Sequence, residues 1–424
     1  MIGLDQSGAP VTTIDRPWLK ARETRAVMSA LEAAGGPGCA RFVGGCVRNA
    51  LIGAPVEDID IATVLTPEAV ISAVKGAGLK AVPTGIDHGT VTVVCGGKPF
   101  EVTTLRRDVE TDGRRAVVAF TTDWAEDARR RDFRLNALYA DAQGQVFDPT
   151  GEGVADGLAG RIVFVGDAEQ RILEDGLRIL RFFRFCAWYG RGEPDPDGLA
   201  ACARLKDRLA QLSAERIAKE LLKLLAADDP RPIMRVMAAA GILGAVLPHA
   251  QGLARFEGLV GIETEQLFQC EPLLRLAALL PDDPAVGLAT AEALRLSNAQ
   301  RDRLATALGT EPRIVSWMSP REARRAVYRL GAEAFCDRVL LAWAASDRAA
   351  ATIQWRALLP MAQTWPRPVF PLSGDEVLAA GVPKGPLVGQ ILREVEDWWI
   401  DHDFTDDKLS LVEQLKAVAQ GMAY

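Results

Sequence analysis

Histidine is almost missing from this chain: three residues in 424, at His88, His249 and His402, too few for a histidine-rich metal centre. The pair His402-Asp403, which raises the idea of an appended metal phosphohydrolase, therefore reads as surface, and His88 as a strand or turn residue. Cysteine is scarce as well. Seven residues, an odd number with no CxxC pair, fit reduced thiols in a cytosolic chain better than a disulfide framework or a zinc site. No apolar run reaches the about 20 residues that span a bilayer. The greasiest, Met237 to Leu247, is too short, and Met1 to Lys20 holds no stretch of signal-peptide length. A soluble, cytoplasmic chain without a membrane partner is expected. Fixed-period repeats and long low-complexity segments are absent too.

Positive charge is in deficit: 49 Lys and Arg against 56 Asp and Glu leave a net −7, which argues against nonspecific nucleic-acid binding by the whole surface. The arginines are concentrated, however. Arg171, Arg178, Arg181, Arg184 and Arg191 face only Glu174 and Asp175 within their stretch, and Arg129, Arg130, Arg131 and Arg134 crowd around Asp132. An acidic body with focused basic patches suits a polyanion held at one place.

The length, with 49% hydrophobic residues, exceeds what one core accommodates, so two or more domains are expected. From about Arg41 to Phe147, short β-branched runs predict strands at Arg41–Val43, Ile59–Ala62, Thr90–Val94, Phe100–Thr104 and Val117–Phe120. Helical patterns at Val47–Leu51 and Pro67–Ala77 lie between them. Past Asp148-Pro149-Thr150-Gly151 the strand signals nearly vanish and amphipathic helix takes over. Ser213 to Leu225 is typical: Ser213 as a cap, Glu215 at the positive helix end, and one stripe of Ile217, Leu221, Leu224 and Leu225. Joints are expected at Gly190–Gly198, Asp228–Pro232, Gly309–Pro320 and Pro360–Pro371.

Four segments carry chemistry. Val43-Gly44-Gly45-Cys46-Val47-Arg48 runs from strand into helix, so paired glycines let a backbone approach a ligand where helix N–H groups point outward. Alone it is an ordinary turn; its weight comes from the acidic pair one short helix downstream. In Glu57-Asp58-Ile59-Asp60-Ile61-Ala62 the strand period of two puts Asp58 and Asp60 on one face. Two hard carboxylates suit Mg²⁺, which is usually bound by one or two carboxylates plus substrate phosphates, and such ions can activate a hydroxyl and steady a leaving pyrophosphate. The guanidinium cluster of Arg129-Arg130-Arg131-Asp132-Phe133-Arg134-Leu135-Asn136 would be costly to hold together without anions, which triphosphate oxygens could supply; a solvated helix face is the bland alternative. In Leu173 to Phe185, steps of three keep Asp175, Arg178, Arg181 and Arg184 on one drifting stripe of a helix. A surface ion pair is the plain reading of that spacing. The sharper one is base recognition, a carboxylate accepting from an exocyclic amine while a guanidinium donates to the adjacent ring nitrogen. Cytosine and adenine present that pair, and uracil and guanine the reverse polarity.

The ordered set Gly-Gly-x-x-Arg, Asp-x-Asp, Arg-Arg-Asp-Phe-x-x-Asn-Ala, Glu-Asp-x-x-Arg-x-x-Arg-x-x-Arg-Phe and Ser-Ala-Glu-Arg-Ile, spread over Arg41 to Leu225, resembles the bacterial CCA-adding tRNA nucleotidyltransferases and their close relatives, the bacterial poly(A) polymerases. The resemblance implies an α+β fold: a polymerase-beta-like nucleotidyltransferase head at residues 31–165 after a helical lead-in at 1–30, then an all-helical neck at 166–230 and a helical, RNA-binding body and tail at 231–424. It implies that Asp58 and Asp60 hold Mg²⁺ and are catalytic, that Gly45, Arg48 and Arg131 contact the nucleotide, that Asp175 and Arg178 read its base, and that Arg181 and Arg184 hold phosphates. Glu101 lies where a third carboxylate or a flexible-loop anchor would fall. Leu294–Asn298 and Gly374 to Gly389 are similar to the body and tail. Three positions depart from the pattern: Asn49 where Asp is usual, Gly176 where Pro or Ala is common, and Arg134-Leu135 where Thr with an aliphatic residue is usual. The partners implied are a tRNA 3′ end, with CTP and ATP as substrates, and no DNA.

Three activities compete on this reading: addition of C, C and A to tRNA, extension of arbitrary RNA into a poly(A) tail, and a partial enzyme adding only C or only A. The C-terminal region has no long basic extension to hold generic RNA, which favours the first. A catalytically dead RNA-binding relative is the alternative from another class, and both aspartates being present speaks against it. Arg321, Arg324 and Arg325 could track an RNA backbone or be solvated.

Overall fold

Every strand among the described residues (9–112, 115–346 and 351–422 of a computed structural model) lies before Asp148. They are β1 (Thr12–Thr13), β2 (Ala40–Val43), β3 (Asp60–Thr63), β4 (Lys80–Gly85), β5 (Thr90–Cys95), β6 (Lys98–Thr104), β7 (Arg106–Asp112), β8 (Arg115–Phe120), β9 (Tyr139–Ala140) and β10 (Gln145–Phe147). Eight form one sheet in the order β1-β10-β9-β2-β3-β6-β5-β4, and β7 and β8 form a separate hairpin. In the sheet only β3 and β6 pair in parallel, with Asp60 opposite Glu101 and Ile61 opposite Val102. The five expected strands are present. The missed β4 carries Pro83, ends on a register shift between Val82 and Gly85, and lies at the sheet edge, where proline is tolerated.

The helices of this part are α1 (Pro17–Lys20), α2 (Arg22–Gly35), α3 (Gly45–Ile52), α4 (Pro67–Gly76), α5 (Trp124–Arg129), α6 (Gly153–Ala159), α7 (Ala168–Glu174), α8 (Leu177–Tyr189), α9 (Pro196–Arg204), α10 (Ala214–Leu225), α11 (Arg231–Ala239) and α12 (Ile242–Val246). Alternation along β3 decides what faces what. Ile61 and its neighbour Val102 are buried with Val27 and Leu31 of α2 and Val70 and Val74 of α4. Ala62 belongs to the opposite face, with Trp124 and Ala128 of α5 and Tyr139 of β9. Asp60, two residues before Ala62, shares that second face.

The chain folds as two compact units, Met1–Pro248 and His249–Tyr424. Within the first, aromatic rings bind the arginine-rich segment to α8: Phe133 lies 4.9 Å from Phe164, and Phe164 stacks at 5.5 Å on Phe182. Burying one such ring is worth about 2–3 kcal/mol. The helix expected across Leu173 to Phe185 is broken: Asp175 is extended (φ −149, ψ 104) between α7 and α8, and its Oδ1 accepts the N–H of Leu177 at 3.1 Å. Gly176 has a steric reason, since a methyl there would press to 3.1 Å from the Arg208 Cβ and 3.3 Å from its carbonyl oxygen. Ser213 precedes α10 as expected but makes no side-chain cap; the stripe of Leu221, Leu224 and Leu225 is buried.

The second unit is helical from Ala254–Gln266 to Lys408–Met422. Ser297, within the first segment singled out by resemblance, and Ser373, directly before the second, each close a capping box on the next helix. Its last core gathers Val377, Ile391, Val395, Trp399, Leu411 and Leu415. Among the described residues no helix is long and apolar enough to cross a membrane.

Candidate active site

Gly44 has φ 72 and ψ −124 as the residue that starts α3, a backbone state that L side chains avoid, so this glycine is required by the turn itself. Gly45 is different: a methyl there would meet only the Arg48 Nη2 at 3.7 Å, ordinary contact. Its bareness keeps the mouth of the helix open, where the first-turn N–H groups have no partners within the helix.

Arg48 is buried and held on every side. Its Nη1 donates to Asn136 Oδ1 at 2.6 Å, its Nε and Nη2 to Asn49 Oδ1 at 3.0 and 2.8 Å, and Nη2 also to the Tyr189 hydroxyl at 2.8 Å. The guanidinium carbon sits 3.9 Å from the Tyr189 ring centroid, a cation–π contact. Asn49 also donates to the Pro55 carbonyl at 2.6 Å. An aspartate could accept from Arg48 but could not make that second bond, so the departure at Asn49 ties the arginine to the loop that leads to Asp58.

Asp60 opens β3 and is half-buried, whereas Asp58 is exposed and stands two residues ahead of the ladder. The two were expected on one strand; only Asp60 is. Burial, then the charges of Glu101 and Asp58, push the Asp60 carboxyl up to about 6 despite Arg131. Glu101 is thus an electrostatic neighbour of the pair, through the parallel register of β3 and β6. Gly45, Arg48, Asp58 and Asp60 line one cleft of about 700 Å³, with Trp188 and Tyr189 of α8 and Lys223 of α10 in its wall. Among the described residues no three His, Cys, Asp or Glu side chains close on a point as a metal cage.

Arg131, Arg178, Arg181 and Arg184 stand outside the walls of that cleft and are engaged by the protein's own carboxylates. Arg131 donates to Asp127 at 2.9 Å and to the Tyr139 hydroxyl at 3.2 Å; its Nη1 is 3.6 Å from where a Gly44 Cβ would be. Arg178 donates to Glu174 at 2.6 Å and to the carbonyls of Arg171 and Arg130 at 2.7 and 3.0 Å. Arg181 grips Asp132 through Nε at 2.8 Å, and Arg184 donates to Glu220 at 2.6 Å. Asp175 accepts from Arg216 at 2.7 Å, so Asp175 and Arg178 share no side-chain bond, although the Arg178 N–H donates to the Asp175 carbonyl at 3.0 Å. The guanidinium cluster therefore does not wait for an external anion to be neutralised. In the second unit Arg324 pairs with Asp403 at 3.0 Å, and Arg325 donates to the Asp401 carbonyl at 2.9 Å. His402 is exposed, with Nδ1 2.8 Å from the Trp398 carbonyl.

Sequence reasoning missed Asp127, Asn136, Tyr139, Tyr189 and Glu220. Asp127 had a signal, its i,i+3 and i,i+4 spacing to Arg130 and Arg131. Its side chain is 1% exposed. Burial alone would raise its pKa, but Arg131 and Arg130 draw it down to about 2. A carboxylate held below its unfolded value of about 3.9 stabilises the fold above that pH, and the contribution is lost as pH falls towards 2. Asp127→Ala should cost about 3 kcal/mol at pH 7, by leaving buried guanidinium groups unpaired. In urea unfolding, the difference from the parent protein should shrink steadily below about pH 4; a pH-independent difference would mean that packing, not charge, is what Asp127 supplies.

Known proteins resemble this chain over most of its length. Residues 40–163 match the poly A polymerase head domain, and residues 193–253 match the probable RNA and SrmB-binding site of polymerase A. The mouse mitochondrial CCA tRNA nucleotidyltransferase 1 is 32% identical over 388 residues, 89% of this chain and 86% of its own. The CCA-adding enzyme of Oceanobacillus iheyensis is 45% identical over 213 residues, half of either chain. The crystal structure of the Bacillus stearothermophilus CCA-adding enzyme in complex with CTP superposes with a TM-score of 0.77 at 26% identity, covering 96% of this chain and 99% of that one. With residues 40–163 matching a head-domain model of this family and identity of 32% sustained along nearly nine-tenths of its length, the chain belongs to the family of CCA tRNA nucleotidyltransferases and poly(A) polymerases.

Proposed function

We propose that this protein adds C, C and A, without a nucleic-acid template, to the 3′ end of tRNA. The terminal hydroxyl attacks the α-phosphate of CTP twice and of ATP once, releasing pyrophosphate each time. The observation that carries this is the cleft in which Asp58 and Asp60 meet the open N-terminus of α3 and the fixed guanidinium of Arg48. A triphosphate laid there has helix N–H groups and Arg48 for its phosphate oxygens, with Arg131 beside Gly44.

Nucleotidyl transfer generally employs divalent cations, and Mg²⁺ is our assignment. The residues fit it. Magnesium takes one or two carboxylates and completes its octahedron with water and substrate phosphates, and an exposed Asp58 beside a half-buried Asp60 leaves those positions open. The crowding of Asp58 and Glu101 on Asp60 is what a bound cation would relieve. When bound, it would sharpen the attacking hydroxyl and neutralise the leaving pyrophosphate.

Asp175 and Arg178 are assigned to the base. A carboxylate accepts about four hydrogen bonds, and two Asp175 acceptor sites are taken, by Leu177 and Arg216. Of the five Arg178 donors three are engaged, which leaves a fork for a ring nitrogen. Arg181 and Arg184 commit part of their donors to Asp132 and Glu220, and the N–H groups left over would serve phosphates. On this reading the neck is residues 166–230, between a head at 31–165 and an RNA-binding body and tail at 231–424. Seven unpaired cysteines support the cytoplasm as its compartment.

A nucleotide-resolved extension assay tests the reading. Transfer RNA lacking its terminal triplet should gain three nucleotides from CTP and ATP and then stop. A long tail grown from ATP on an arbitrary oligonucleotide would identify a poly(A) polymerase instead, and arrest after C or dependence on ATP alone a partial enzyme.

A further inference from the structure

The last turn of α8 presents an aromatic side chain to which nucleotidyl transfer gives no role. Trp188 is 47% exposed on a helix that otherwise buries Leu177, Leu180, Phe182, Phe183 and Phe185. Scattered exposed apolar residues need no explanation, but this one is oriented. Its indole Nε1 donates to the Lys223 carbonyl at 2.6 Å, fixing the ring against the end of α10. It lies in the wall of the same cleft as Asp58 and Asp60. Next to it Tyr189, with ring centroids 6.4 Å apart, underlies Arg48 at 3.9 Å, so the indole adjoins the nucleotide turn.

The cations around it are also distinctive. Arg48, Arg131, Arg178, Arg181 and Arg184 are all engaged by acceptors of the protein. Arg191 and Lys223 line the cleft, are exposed, and among the described residues no carboxylate pairs with either side chain. Glu57 and Asp228 are the acids of the cleft besides the catalytic pair.

We propose that Trp188, flanked by Arg191 and Lys223, is the platform on which the 3′-terminal nucleotide of the RNA acceptor stacks, with the two cations on its phosphates. This rests on template-independent addition as the activity of the cleft. The terminal base of the acceptor differs through the cycle, the tRNA's own last base before the first addition and C before the second and third, so a group that holds it at every step cannot read its edge. An aromatic face meets that condition, because every base has a π-face and stacking tolerates sequence, while flanking cations track the backbone. Edge recognition stays with the incoming nucleotide, at Asp175 and Arg178.

Trp188→Ala and Trp188→Phe separate stacking from a structural tie, since phenylalanine keeps a ring and loses the bond to Lys223. With truncated tRNA and CTP, Trp188→Ala should raise KM for tRNA about 10-fold and leave KM for CTP as in the parent, and Trp188→Phe should recover most of the loss. A rise in KM for CTP instead would put the indole on the incoming base. Equal losses in both variants would make it a structural tie, and no change in either would leave it idle; each of these overturns the proposal. An acceptor-stem minihelix should also quench the tryptophan fluorescence of the parent more than that of Trp188→Phe. That readout needs no turnover, so it stands apart from failure of the assigned activity, which would show as a parent enzyme that adds no nucleotide at all.

Discussion

Asp58→Ala and Asp60→Ala should each lower nucleotide incorporation by on the order of 10³-fold or more, with tRNA binding largely kept. The size follows from the several kcal/mol of charge stabilisation that a metal-held triphosphate supplies. Retained binding follows from where the residues stand: both line the cleft of the first unit, and among the described residues neither carboxylate accepts a hydrogen bond that holds two elements together; the Cys46 thiol reaches only the Asp60 backbone carbonyl. Stability separates catalysis from architecture. An acid whose pKa is pushed up to about 6 by burial, Glu101 and Asp58 opposes folding when ionised, because the folded state binds its proton more tightly than the unfolded chain does. Asp60→Asn should therefore leave the thermal midpoint unchanged or higher at pH 7 while abolishing incorporation. A lowered midpoint, or an active Asp60→Asn, would remove that carboxylate from the metal-holding role. Gel-resolved extension, filter binding of tRNA and a thermal melt on the same preparations decide it.

What the sequence made legible was whatever depends on neighbours along the chain. The turn at Gly44-Gly45, the strand of Asp60 and the apolar stripe of α10 each come from a period or a local backbone need. The site as a whole does not. Glu101 stands beside Asp60 only because β3 and β6 pair in parallel, a crossover whose register no local pattern states. Arg181 meets Asp132, and Arg184 meets Glu220, across tertiary contacts, so arginine runs that read as seats for an external anion are satisfied internally. Glu220 had one visible sign, a charge beside the buried stripe of Leu221 and Leu224. The break at Asp175-Gly176 could have been read: an Asp-Gly pair is a turn signal, and the Asp175 carboxylate meets the Leu177 N–H where α8 starts.

That break bears on the second large effect. Because Asp175 lies off the helix and Arg178 on its first turn, their polar ends are set by different supports, Asp175 by Arg216 and Arg178 by Glu174 and the Arg130 carbonyl. Arg178 thus also fastens α8 to the end of α5, and its loss should cost some stability as well as recognition. Arg178→Lys separates the two. An ammonium can keep the bond to Glu174 but lacks the planar fork that donates to a ring nitrogen in register with the amine held by Asp175. Discrimination of CTP and ATP against UTP and GTP should fall about 10- to 100-fold in Arg178→Ala and nearly as far in Arg178→Lys, the scale of one bidentate base contact. Thermal stability should drop in the alanine variant and stay near the parent in the lysine variant, and tRNA affinity should change less than nucleotide choice in both. Incorporation ratios equal to those of the parent in both variants would confine Arg178 to fastening the helix, and base choice would then have to be sought in other residues. Competition of the four triphosphates for one truncated tRNA, scored by the base added, gives that ratio directly.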